Sequence, residues 1–163
     1  MQLLKDYRYA LVLPTSIGVR ITPDSREPVH TSRHYTMQAT SAESNVGQIS
    51  ASLGLPVKLL TAFVKGSPVS AFIKSELRAR NFDFEGPDLD QGGPWGLRHQ
   101  FNIADSGFGL RGPRVWNDRA GEVGRQLKAQ DFDLERIFGE EKAAIVHLSG
   151  LIAAISSETT QFC

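Results

Sequence analysis

The chain has 163 residues, 40% hydrophobic and 22% charged, which fits one packed domain and excludes disordered, collagen-like and disulfide-framework classes. Eighteen Lys and Arg balance eighteen Asp and Glu, so the formal net charge is zero and no bulk field recruits nucleic acid or an acidic membrane. The single cysteine, Cys163, rules out an intrachain disulfide and a cysteine-rich metal site, and its isolation points to a cytoplasmic protein.

At the start, Lys5, Asp6 and Arg8 precede an apolar stretch that Pro14 cuts short, which is not a secretory pattern. No apolar run approaches the roughly 20 residues of a membrane-spanning helix. Tyr9 to Leu13 (YALVL) is a continuous apolar run, the pattern of a strand buried on both faces. Residues 44–53 carry Val46, Ile49 and Leu53 at helical spacing. Ser44 or Asn45 is placed to cap that helix, Gly54 to close it, and Pro56 to bar its continuation. Residues 56–64 (PVKLLTAFV) predict the next strand. Ser67-Pro68 then supplies an N-cap with proline at the first helical position, opening a helix with Phe72, Ile73 and Leu77 on its apolar stripe.

Between Phe82 and Asp118 the texture changes. Glycine and proline punctuate short extended stretches such as residues 97–103 and 114–116, which predicts hairpins. Asp131 or Asp133 is expected to cap a short helix holding Leu134, Ile137 and Phe138 and closed by Gly139. Residues 143–148 (AAIVHL) predict another buried strand. Ser156, Ser157 and Glu158 mark a helix start, but the residues up to Cys163 give too few turns to offset nucleation. A parallel sheet ending there would leave an open strand edge, so the 163 residues are expected to be the front part of a longer chain. The alternation of strands and helices predicts an α/β protein with a mainly parallel sheet, and the irregular zones 18–40 and 82–118 predict a small β-sheet beside it.

Gly107-Phe-Gly109-Leu-Arg-Gly112 matches the dinucleotide fingerprint by letter, with Asp131 near the offset of a ribose-binding acid. A dinucleotide-dependent oxidoreductase would need a helix through residues 109–119. Pro113 and the extended character of Arg114 to Trp116 favour a hairpin turn instead. His30 and His34 lie among turn residues, and His147 fits a satisfied core histidine better than a base.

Two other segments have more chemistry in them. Residues 40–45 (TSAESN) lie where an irregular segment enters a helix, so backbone N–H groups, the helix dipole and hydroxyls converge, as a polyol or carboxylate ligand requires. The bland alternative is a capping box with Glu43 solvated. Residues 116–121 (WNDRAG) bring Arg119 behind the glycine-rich turn, where a guanidinium grips an anionic or hydroxylated ligand; the alternative is an exposed Arg119–Asp118 pair.

In order along the chain, Gly18 to Pro23 (GVRITP), Ser41 to Val46 (SAESNV), Leu53-Gly54, Asn117 to Gly121 (NDRAG) and Ile145 to Gly150 (IVHLSG) resemble the N-terminal half of the ribokinase-like carbohydrate kinases, the phosphofructokinase-B family, and most of all its 2-keto-3-deoxygluconate kinase branch. The resemblance implies a Rossmann-type sheet with helices on both faces plus a small β lid, here as one N-terminal portion with lid segments near 18–40 and 95–118. It implies a sugar held between lid and sheet by Ser41, Ala42, Asn45, Arg98 and Arg119. Asn45 stands at the sugar-binding asparagine and Arg119 at the arginine that receives the acidic sugar. ATP and Mg are implied for the parent enzyme and none for these residues, because the family's Gly-Ala-Gly-Asp signature of base and anion hole is not among them. Implied too are a small-molecule sugar partner and a homodimer through the lid. The other class carried forward is a non-enzymatic sugar-binding or lid-mediated interaction portion.

Overall fold

In chain order the elements run β1 (Tyr9–Pro14), β2 (Gly18–Pro23), β3 (Tyr35–Thr40), α1 (Ala42–Ser52), β4 (Val57–Leu60), β5 (Phe63–Val64), α2 (Pro68–Ala79), β6 (Phe82–Glu85), β7 (Asp88–Leu89), β8 (Phe101–Asp105), β9 (Arg114–Asp118), β10 (Ala143–Val146), α3 (Gly150–Ala154) and α4 (Ser157–Phe162). The structure, a computed structural model, describes residues 6–163, so Lys5 of the charged N-terminal stretch lies outside it.

The main sheet is parallel with strand order β10-β1-β4-β6. Leu11, Leu13, Val57 and Leu59 turn to one face, where Ile73 and Leu77 of α2 pack with no exposure. Each such side chain contributes roughly 1.5–3 kcal/mol by leaving water. Val12 and Leu60 turn to the other face, covered by Val123, Leu127, Ile137 and Ile152 from the short helical turns after β9 and from α3. The chain thus steps from β1 to β4 and β6 on one side and returns to β10 on the other, so the order reverses at β1. In open α/β sheets the crevice beyond the strand C-termini at such a reversal is where ligands bind.

Residues 18–40 and 101–118 form the expected second sheet, of order β3-β2-β8-β9, whereas the start of the second irregular zone does not join it: β6 completes the main sheet and β7 pairs with β5. β2 pairs antiparallel with β3 and parallel with β8, and β8 and β9 form a hairpin. Its turn is the Gly107–Gly112 segment: Gly107 and Gly109 have φ of 71° and 58°, Phe108 bridges Arg111, and the chain then enters β9 rather than a helix. The dinucleotide reading falls with that observation.

Several expectations are corrected. The helix over 44–53 exists as α1, but Val46, Ile49 and Leu53 are exposed and its buried residues are Glu43, Ser44 and Gly47. Small residues let α1 lie close to the sheet, so an added Cβ on Gly47 would stand 2.6 Å from Leu13 Cδ1. The strand predicted over 56–64 is broken into β4 and β5, and β5 leaves the main sheet to pair with β7. Asp133 caps as expected, accepting from Arg136 N at 3.0 Å, but the turn that follows is a π-type turn in which Gly139 is interior. β10 is an edge strand with Ile145 and Val146 half-exposed rather than buried, and His147 stands just past it, half-buried. The short last helix does form: Ser156 and Thr159 make a capping box, and Phe162 stacks on Phe132 at 5.3 Å between centroids. Tertiary contact supplies what local nucleation lacks.

Candidate functional site

Beyond the C-terminal end of β1 the chain leaves the main sheet through Thr15 and Ser16, and these adjacent hydroxyls go to two different buried carboxylates. Thr15 Oγ1 donates to Glu43 Oε2 at 2.7 Å, and Ser149, after β10, donates to Glu43 Oε1. Glu43, in the first turn of α1, is 1% exposed, so it spans the ends of β1 and β10 at the reversal of strand order. Ser16 Oγ donates to Glu122 Oε1, and Glu122 is likewise 1% exposed. Arg119 closes the chain of contacts: its Nη1 donates to both Glu122 oxygens at 2.8 and 3.0 Å.

This continuous link, from α1 through Glu43, Thr15, Ser16 and Glu122 to Arg119, brings the two sequence segments singled out above to one place. Ser41, the residue before α1, is buried. Its side chain accepts from Ser44 N while Ser44 Oγ accepts from Ser41 N, both at 2.9 Å. The capping box is therefore real, but Glu43 is not the solvated acid that a plain cap predicts. Ala42 and Asn45 are exposed on the first turn, with the dipole of an eleven-residue helix behind them.

Arg119 pairs with Glu122 and not with Asp118, whose carboxylate instead accepts from Ala120 N. Arg98 lies beside the same loop: its backbone N–H donates to Gly121 O and its carbonyl accepts from Val123 N, both at 2.8 Å, while Nε donates to Ala120 O. In this arrangement Arg98 braces the Arg119 turn. His30 and His34 are exposed, as expected of turn histidines.

Sequence reasoning missed the two buried carboxylates and their hydroxyl partners. For Glu122 the signal is its i,i+3 spacing from Arg119; for Glu43 there is none, because first-turn acids are ordinarily solvated. It also missed His99, which is buried, with Nδ1 2.9 Å from Ile17 O and Nε2 2.9 Å from Ser70 Oγ. Burial holds the His99 imidazole below its usual pKa, the nearby Lys74 charge adds to that, and the Ile17 carbonyl opposes it. This histidine ties the small sheet to α2 and does not line the crevice.

No family model and no curated protein matches the chain. Solved structures do. A 2-dehydro-3-deoxygluconokinase from Thermotoga maritima superposes with a TM-score of 0.82 at 22% identity, over 94% of this chain and 45% of that one. A PfkB protein from Polaromonas sp. JS666 gives 0.78 at 18% identity, over 94% and 49%. A sugar kinase from Pyrococcus horikoshii solved with ATP gives 0.64 at 14% identity, over 79% and 40%. This chain thus spans about half the length of the proteins it superposes on. Its architecture is that of the ribokinase-like, PfkB-family carbohydrate kinases.

Proposed function

We propose that this chain forms the sugar-binding portion of an ATP-dependent carbohydrate kinase acting on a sugar or sugar acid such as 2-keto-3-deoxygluconate. The observation that carries this reading is the convergence of the α1 first turn and the Arg119 loop at the crevice beyond β1 and β10, linked through Thr15 and Ser16. The fold neighbours are sugar kinases, and one of them was solved with ATP. On this reading Asn45 hydrogen-bonds a sugar hydroxyl, and Ser41 and Ala42 fix the backbone at the helix start. Arg119 contributes the guanidinium nitrogens that Glu122 leaves over, and Arg98 holds its loop. The small sheet serves as the lid, limiting water over the sugar.

The glycine-rich Gly107–Gly112 segment is the turn of the β8–β9 hairpin and does not open a helix, so it is not assigned to a nucleotide phosphate. On this reading these residues bind and orient the sugar, and ATP is the phosphoryl donor of the parent enzyme.

Calorimetric titration of the 163-residue chain with 2-keto-3-deoxygluconate, fructose and Mg-ATP tests the reading. Sugar heats without nucleotide heats are expected, with at least a tenfold loss in Asn45→Ala and Arg119→Ala. Binding of neither sugar, or sugar-dependent ATP turnover by this chain alone, would overturn it. Sugar binding that no complementary polypeptide converts to turnover would favour a non-enzymatic sugar-binding role.

A further inference from the structure

Along each strand of the small sheet, side chains alternate between two faces. On one, Val19 and Ala39 join the core with Ile73 and Leu77 of α2. On the other, the register aligns Gln38 of β3, Arg20 of β2, Asn102 of β8 and Asn117 of β9 in one row across all four strands. Gln100 lies one step along the same face. It crosses Gly18 so closely that a Cβ there would stand 2.0 Å from Gln100 Cγ, and its Nε2 donates to Ser16 O at 3.3 Å. Ser16 is the residue that holds Glu122, so this polar face runs into the crevice of the candidate site.

Three groups on this face are shut off from water and have no hydrogen-bond partner among the described residues: Arg20 Nε, Gln100 Oε1 and Asn102 Oδ1. Gln100 is 1% and Asn102 7% exposed. Arg20, unlike Arg119, makes no ion pair among the described residues. Buried polar groups without partners work against the fold, and three on one face have no structural return. Their chemistry is complementary to one kind of ligand: a guanidinium donates to a carboxylate, and amide carbonyls accept from hydroxyls.

We propose that Arg20, Gln100 and Asn102 form a subsite for the carboxylate-bearing end of a sugar acid, Arg20 receiving the carboxylate and the two amide carbonyls its neighbouring hydroxyls. The inference rests on the sugar-binding reading above and moves acid recognition from Arg119, whose charge Glu122 already neutralises, to Arg20. Calorimetry on the full chain with 2-keto-3-deoxygluconate and with fructose tests it. Arg20→Met should weaken the acid at least tenfold and leave fructose within about twofold, while Arg20→Lys recovers part of the loss. Asn102→Leu should weaken both sugars yet keep or raise the thermal midpoint, because no protein partner is lost. Wild-type affinity for the acid in Arg20→Met, or a lowered midpoint with unchanged binding in Asn102→Leu, overturns the subsite and leaves the sugar-binding reading standing. So does a wild-type chain that binds fructose and not the acid. A wild-type chain that binds neither sugar overturns both.

Discussion

Replacing Lys58 with methionine should destabilise the fold by about 2–4 kcal/mol near neutral pH. The Lys58 side chain, on β4, is 5% exposed, and its Nζ lies 2.7 Å from both a Glu85 oxygen and a Glu141 oxygen and 4.8 Å from the centre of the Tyr9 ring. Two charged hydrogen bonds at roughly 1.5–3 kcal/mol each set the upper range. The loss stays below their sum because Arg136 still bonds Glu85 at 2.7 and 2.8 Å and Glu141 at 2.7 Å, and methionine replaces the buried stem. Burial pushes the Glu85 and Glu141 carboxyls up, but Lys58 and Arg136 outweigh it and hold both below the usual value of 4.5. Groups with depressed folded values stabilise the protein above the unfolded value, and that stability is lost as pH falls through the folded one. The deficit of K58M should therefore shrink as the pH falls below 4.5. Urea unfolding of both proteins across this range measures it. Coincident midpoints near neutrality, or a deficit that stays constant into acid, would refute this account of Lys58.

Two further outcomes follow from the packing. Gly47→Val should cost about 2–3 kcal/mol by forcing α1 off Leu13 and Val57, whereas Ile49→Ala on the exposed side of the same helix should change stability by less than about 0.5 kcal/mol, both read by thermal or urea unfolding. His99 is held neutral in the fold, so below 6.5 the unfolded chain takes up a proton that the folded chain does not, and stability should fall with pH there. His99→Gln should flatten that slope, and an undiminished slope would assign it to other groups.

What the sequence made legible follows from how local each signal is. The buried run of β1, the Ser67-Pro68 start of α2 and the glycine turn between β8 and β9 each depend on neighbours within a few residues, and each is found in place. The buried side of α1 was not legible, because close approach through Gly47 has no hydrophobic signature. The apolar composition of β10 reads the same for a central as for an edge strand. At the site, Ser41, Asn45 and Arg119 stood out through the order of short motifs. Glu43 and Glu122 did not, since each is held by a hydroxyl, Thr15 or Ser16, that lies 28 and 106 residues away in the chain.

The outermost position of β10 has a practical corollary. Among the described residues no strand pairs with its outer rim of amides and carbonyls, which, bordered by half-uncovered Ile145, Val146 and Leu148, is a template on which an extended polypeptide could lay down a further strand. Purified alone, the chain should grow stickier with concentration, and Ile145→Lys would be the mildest remedy.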